Sequence, residues 1–223
     1  MSPTVRRTTL AVDVVVFSPR SDTLAVLLVR TPAGARERWS LPWDAPHVAE
    51  GLEEAAARIT TAALGAAPTY FEQVGALCDG RRHPGDADVS VGIAALSPAG
   101  DGIPLGDAEW FPLAALPALA PRHRTVVDRA AAVVRQRVDQ SPVAFRLLPP
   151  TFTLSDLQAV YQLLLGRRLH KASFRRALQA SYLVEPTDEW RSEGRGRPAQ
   201  LFRYAPKKRR GARRGVRFDL FSE

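Results

Sequence analysis

The chain has 223 residues, 45% of them hydrophobic, with one cysteine and a net charge of +8. That length suits one large or two small domains, no apolar run approaches the roughly 20 residues of a membrane helix, and a single cysteine excludes an internal disulfide framework. The charge is unevenly placed: residues 1–145 carry 14 Lys and Arg against 16 Asp and Glu, whereas residues 146–223 carry 17 against 7.

In chain order, "LAVDVVVF" (10–17) and "TLAVLLVR" (23–30) are β-branched apolar runs around "SPRSD" and read as strand, turn, strand. "GLEEAAARITTAAL" has helical spacing and is stopped by Gly65. "TYFEQVGALCD" and "DVSVGIAALS" read as further strands, and "LAALPAL" as a short segment interrupted by Pro117. A helix is predicted over 122–140, with Val126, Val127, Ala130, Val133, Val134 and Val138 on its apolar stripe. Strands on both sides of the first helix make the front half α+β or mixed α/β.

Pro142 and "LLPPTF" mark a boundary. Thr153 and Asp156 form a capping signature for "TLSDLQAVYQLLLG", whose inner face is Leu157, Val160, Tyr161 and Leu164. A Gly-containing turn leads to "KASFRRALQASYLV", with Phe174 and Leu178 inward, and "EWRSEGRGRPAQLFRYAP" follows as two β-prone ends around a polar loop. Helix, turn, helix, hairpin in a basic segment is the layout of a winged helix-turn-helix. The expected domains are residues 1–141, a winged domain over 142–206, and a basic tail over 207–223.

The segment from Glu50 to Gly65 carries the sharpest motif. Anchored on Arg58, it matches the frame G-x5-E-x7-R-E-U-x-E-E-x-G-U at Glu50 and Gly65. Asp44 stands at the leading Gly, and Ile59, Ala62 and Ala63 stand where the frame has Glu. This frame resembles a Nudix box without its acids. "FTLSDLQAVYQLLLGRRLHKASFRRALQASYLVEP" with "GRGRPAQLFRY" resembles the winged-helix domain of the NrtR family, the Nudix-related transcriptional regulators of NAD metabolism, mostly repressors. The resemblance runs from about Thr8 to Pro206. It implies a Nudix-like mixed-sheet α/β/α sandwich followed by a winged helix-turn-helix, with ADP-ribose or a related nucleotide as effector and no other cofactor.

Nudix hydrolysis needs carboxylates on one helix face to hold a divalent metal against a diphosphate. Ile59, Ala62 and Ala63 can do neither that nor proton transfer, so no catalytic residue and no metal are expected. Glu53 and Glu54 suit the helix N-terminus. Glu50 and Arg58 are expected to pair, holding loop to helix or contacting ligand. A diphosphate can still be held by cations and backbone N–H groups. Arg36, Arg38 and Trp39 in one loop, and Arg81 and Arg82 in another, are the candidate ligand contacts. Cys78 is expected to pack internally, and the four histidines show no ligand spacing.

In the basic half, Lys171, Ser173, Arg175, Arg176 and Gln179 are the polar residues of the second helix, the one that enters the major groove in a helix-turn-helix. Arg195 and Arg197, between glycines and before Pro198, are expected to reach a narrow minor groove, with Gln200 beside them. The tail adds sequence-independent phosphate attraction.

Three functions compete. One is a dimeric regulator of NAD-metabolism genes binding a double-stranded operator, with an inactive Nudix domain sensing a small-molecule effector. The others are a Nudix pyrophosphohydrolase with an appended basic domain, and a Nudix-type regulator of sugar utilisation. A cytoplasmic protein without a membrane partner is expected, because "MSPTVRRTTLAVDVVVF" has no signal-peptide cleavage pattern.

Overall fold

The computed structural model describes residues 8–138, 140–192 and 198–206. The chain falls into two compact units: residues up to 18 with 25–133, and residues 19–24 with those from 134 onward.

The first unit is built on a seven-stranded sheet. Its strands are β1 (Leu10–Arg20), β2 (Thr23–Arg30), β3 (Trp39–Ser40), β4 (Trp43–Asp44), β5 (Tyr70–Leu77), β6 (Val89–Leu96) and β7 (Ala108–Pro112). The order is β3-β2-β1-β6-β5, with β4 also pairing β1 and β7 pairing β2. β1 and β6 run parallel, in register from Leu10 opposite Val89 to Phe17 opposite Leu96. Both are covered on two faces, which is why they read as continuous apolar runs rather than as alternating strands.

Helix α1 (Leu52–Leu64) lies on one face. Its Ala55, Ala56, Ile59, Ala63 and Leu64 join Val12, Val14 and Val16 of β1 and Val91, Ile93 and Ala95 of β6 in one core. Gly65 ends the helix in the left-handed region, φ 71°, and its N–H returns to the Thr61 carbonyl; only glycine takes that conformation cheaply. Helix α2 (Pro121–Val138) covers the opposite face with Val126, Val127 and Ala130 buried. It approaches the sheet closely at Gly92, where a Cβ would sit 3.0 Å from Val126 Cγ1. This is the expected mixed-sheet α/β/α arrangement.

The second unit contains a 3-10 turn (Val143–Leu147), β8 (Thr151–Phe152), α3 (Leu154–Leu165), α4 (Lys171–Ser181), β9 (Val184–Arg191) and β10 (Ala199–Tyr204). Its three-stranded sheet has the order β8-β10-β9. The Thr153–Asp156 capping box forms as the sequence predicts: the Asp156 N–H donates to Thr153 Oγ1 at 3.1 Å, and the Thr153 N–H to Asp156 Oδ2 at 2.8 Å. Leu157, Val160, Tyr161 and Leu164 are buried, and Tyr161 meets Phe174 of α4 edge-on at 5.5 Å. Two helices followed by a hairpin, with β8 added to the hairpin, make the winged helix-turn-helix.

Two expectations are corrected. Cys78 is exposed: it stands just past the end of β5, where the chain leaves the sheet, and Leu77 is the one buried residue of that strand. The histidines are not all scattered, because the fold brings His83 and His123 together, as described next.

Candidate functional site

A cleft of about 300 Å³ opens beside α1 in the first unit. Val29, Ile59, Ala63, Leu105 and Ala108 supply its apolar lining, and Arg30, Trp43, Asp44, Arg58 and Asp107 its polar and aromatic groups. Ile59, Ala62 and Ala63 all line it. Ile59 and Ala63 also belong to the core under α1, whereas Ala62 is exposed. The helix face that would carry metal-binding acids therefore offers methyl and methylene groups to the cleft.

The frame around those positions is intact. Arg58 Nε donates to Glu50 Oε1 at 2.7 Å and Nη2 to Glu50 Oε2 at 2.9 Å, a forked pair. Nη1 donates to Asp44 Oδ2 at 2.6 Å, and Nη2 also to the Ala45 carbonyl at 3.1 Å. Asp44, at the frame's leading position, thus adds a second carboxylate to the same guanidinium. The Arg58 bond, followed by the His47 N–H, lowers the Glu50 carboxyl to about 2. The bond to Glu50, followed by that to Asp44, raises Arg58 above its ordinary value. Glu53 and Glu54 are exposed at the start of α1, and Glu54 accepts the Gly51 N–H at 2.8 Å.

Of the predicted ligand contacts, Arg58 lines the cleft and Glu50 holds Arg58. The others are not in its lining. Trp39 is buried, packed edge-on against Phe111 at 4.8 Å, with the Arg30 and Arg38 guanidinium groups 5.2 and 5.9 Å from its ring centre. Its ring is packed within the protein, and the aromatic wall of the cleft is instead Trp43, which no sequence motif marks. Arg36 is largely exposed near Glu37. Arg82 is bonded to Glu37, and Arg81 to Thr125 Oγ1 and Asp79. Arg30, at the end of β2, does line the cleft.

Behind Trp43 lies a buried cluster. The His83 ring meets Trp43 edge-on at 4.7 Å. His83 Nε2 lies 2.9 Å from Asp13 Oδ1, and His123 Nε2 lies 3.4 Å from the same oxygen and 3.1 Å from His83 Nε2. The three ligand-type atoms fall within 4.8 Å of one another, a spacing open to a metal. The outer nitrogens decide how the cluster is protonated. The Leu41 N–H donates to His123 Nδ1 and the Gly85 N–H to His83 Nδ1, both at 3.0 Å. Each Nδ1 is an acceptor, so each neutral ring carries its proton on Nε2. A metal-binding imidazole normally donates its other N–H outward; these two rings accept there. The donor set therefore suits a buried carboxylate held by two N–H groups. Burial alone would raise Asp13, but the His123 and His83 bonds hold it below the usual carboxylate range. Burial pushes His123 down against the pull of Asp13.

In the second unit, Lys171, Arg175, Arg176 and Gln179 are exposed on α4 and Ser173 is half-buried, while Phe174 and Leu178 point inward. Lys171, Arg175 and Gln179, four residues apart, share one exposed strip with Arg176 beside it, and Ser173 lies away from that strip. The Gln158 side-chain N–H donates to the Leu169 carbonyl, and the Leu169 N–H to Gln162 Oε1, both at 2.8 Å, so α3 fixes the turn into α4. Gln200 is half-buried and bonds the Thr187 carbonyl across the hairpin at 3.3 Å. Arg195 and Arg197 lie outside the described residues, as does the basic tail. No helix among the described residues is long and apolar enough to cross a membrane.

Comparison with known proteins follows this division. Residues 7–130 match the family model of the NUDIX domain, and residues 144–204 that of the NrtR DNA-binding winged helix domain. The ADPR responsive transcriptional repressor NtrR of Acinetobacter baylyi is 31% identical over 205 residues, 88% of this chain and 82% of that protein. Shewanella oneidensis NrtR, in its crystal structure with a 27mer DNA, is 31% identical with a TM-score of 0.77, over 88% of this chain and 94% of that one. The NUDIX domain of the same protein, complexed with ADP ribose, is 26% identical with a TM-score of 0.50, over 57% of this chain and 89% of that one. With both family models in the expected order, and a relative this similar along nearly its whole length, the chain belongs to the NrtR family of Nudix-related transcriptional regulators.

Proposed function

We propose that this protein is a dimeric, DNA-binding repressor of NAD-metabolism genes, and that its Nudix-type domain senses ADP-ribose or a related nucleotide diphosphate without hydrolysing it. Residues 1–141 serve as the sensing and dimerising domain, 142–206 as the DNA-binding domain, and 207–223 as a basic tail that adds phosphate attraction. The effector class and the DNA partner are taken from the relatives, one an ADPR responsive repressor and the other solved with a 27mer DNA and, in its NUDIX domain, with ADP ribose. A cytoplasmic location goes with that role.

The observation that carries this reading is the cleft. Its Arg58–Glu50 frame is kept, but positions 59, 62 and 63 offer no atom that binds Mg²⁺ or accepts a proton. Such a site can recognise a nucleotide through Arg30 and Arg58, the Trp43 ring and the Asp44 and Asp107 carboxylates, and lacks the helix-borne glutamates with which a Nudix box would cleave it. A sensor needs that combination, because hydrolysis would remove the signal. Arg36, Arg38, Arg81 and Arg82 remain proposed rim contacts for phosphate, with Arg36, Arg81 and Arg82 released from their ion pairs with Glu37 and Asp79 when ligand binds.

On the DNA side, Lys171, Ser173, Arg175, Arg176 and Gln179 are proposed to enter the major groove. Arg195, Arg197 and Gln200 are proposed to contact the flanking minor groove and backbone. The test is binding of the purified protein to the upstream region of its own operon, repeated with ADP-ribose, NAD and sugar phosphates. A response to ADP-ribose supports the reading. A response to sugar phosphates alone would make it a regulator of sugar use, and turnover of ADP-ribose would make it a hydrolase.

A further inference from the structure

In the second unit, α3 is bonded at two places to the elements proposed to touch DNA. Gln158 and Gln162 hold the turn into α4 at Leu169. At the other end of α3, Arg191 Nη2 donates to Asp156 Oδ1 at 2.9 Å and Oδ2 at 2.7 Å. Arg191 is the last residue of β9, where the hairpin leaves its ladder toward "GRGRP". The ladder near that end is interrupted by a register shift between Gln200 and Phe202, so strand pairing alone holds the tip end of β9 less firmly. The pair joins residues 35 apart in sequence, and both side chains are about two-thirds covered.

We infer that the Asp156–Arg191 pair is a positioning device, fixing the wing at a set distance from α4 so that helix and wing engage one DNA segment together. This rests on the DNA-binding reading above. A wing held before encounter does not have to be ordered on binding, and that ordering is a real cost in recognition. Asp156 suits the role because its capping bond to the Thr153 N–H already fixes its rotamer. Arg191 suits it because its long side chain brings one nitrogen, Nη2, within bonding distance of both carboxylate oxygens. With its charge matched by Asp156, Arg191 acts here as a tether and not as a phosphate contact.

The two roles predict opposite signs. Asp156→Asn keeps a capping oxygen for the Thr153 N–H but removes one negative charge. If Arg191 were a direct phosphate contact merely shadowed by Asp156, this variant would bind DNA more tightly. A positioning pair predicts weaker binding, roughly fivefold to tenfold, with an unchanged salt slope because no phosphate contact is lost. The effect should be greatest on duplexes with A·T-rich flanks, where the wing contributes most. Arg191→Gln, which removes the guanidinium and its charge, should move in the same direction. The double variant should bind no worse than the weaker single variant.

Fluorescence anisotropy of the full-length protein on A·T-flanked and G·C-flanked versions of its own upstream region reads all of this, with melting temperature as the check on folding. Wild-type binding with equal or tighter binding by Asp156→Asn would overturn the positioning role, as would a salt slope about one unit shallower in Arg191→Gln. Wild-type protein that binds none of these duplexes would sink the DNA-binding reading itself, and the pair's role with it.

Discussion

The indole of Trp43 fills the space that any side chain at residue 85 would occupy: a Cβ on Gly85 would lie 2.0 Å from Trp43 Cη2. Gly85 is therefore required for room, since its backbone is not in the left-handed region. The contact ties the loop bearing Arg81, Arg82 and His83 to the aromatic wall of the cleft. Gly85→Ala should displace Trp43 and cost about 1–3 kcal/mol of stability, read by urea unfolding, and should weaken nucleotide binding. Unchanged stability would mean that Trp43 is not seated against this loop.

The cleft also predicts how nucleotide binds. Affinity for ADP-ribose by calorimetry should be the same in EDTA as in Mg²⁺, and prolonged incubation with Mg²⁺ or Mn²⁺ should leave the ligand intact. Turnover that disappears in Glu53→Gln or Glu54→Gln would contradict this, because it would make those exposed acids metal ligands.

Acid should destabilise the first unit in stages. His123 has a folded pKa below its ordinary 6.5, so burial of its neutral ring contributes stability fully present above about pH 6.5 and lost as pH falls below it. Glu50 is lowered from 4.5 to about 2, so its contribution is fully present above pH 4.5 and lost between those values. Asp13 is depressed below 3.8 and follows at the acid end. The melting temperature should fall between pH 7.5 and 5, and His123→Gln, which cannot titrate, should flatten that portion. A wild-type curve already flat there would remove His123 from the account. Asp13→Ala, which strips the two imidazole N–H groups of their acceptor, should cost about 2–4 kcal/mol at neutral pH.

Helix and wing should give different sequence profiles. Arg176→Ala should relax base preference within the half-site, at about 1–3 kcal/mol of discrimination if it pairs with guanine. Arg195→Ala and Arg197→Ala should weaken binding most where the flanks are A·T-rich. Wing variants without loss on A·T-flanked duplexes would reduce "GRGRP" to a solvated loop.

The assembly should be a homodimer, because two half-sites one helical turn apart call for a two-fold axis. Light scattering at micromolar concentration checks it. A monomer that still binds palindromic DNA tightly would contradict it.

Much of the fold is local and therefore legible in the sequence. The spacing of Ala55, Ala56, Ile59 and Ala63 with Gly65 behind them, the Thr153–Asp156 box, and the unbroken apolar runs of β1 and β6 each name their element from neighbours within a few residues. The resemblance to the motif frame likewise implies that Glu50 pairs with Arg58, and the two do so; that Asp44 joins the same guanidinium is not legible from it. Strands β3, β4 and β8 have two residues each, too short for any periodicity. They exist only because longer strands offer them edges.

The cleft's own chemistry was decided in three dimensions. Trp39 and Trp43 stand four residues apart on the short strands β3 and β4, and sequence singles out the first; packing against Phe111 buries it and leaves Trp43 on the cleft. Asp13, His83 and His123 sit on a strand, a loop and a helix, separated by 70 and 40 residues, with no spacing rule to link them. They meet because the parallel pairing of β1 with β6 and the seating of α2 on that sheet carry the three side chains to one buried point. An ionised carboxylate at such a point must find donors nearby, and only the assembled tertiary structure determines which side chains supply them.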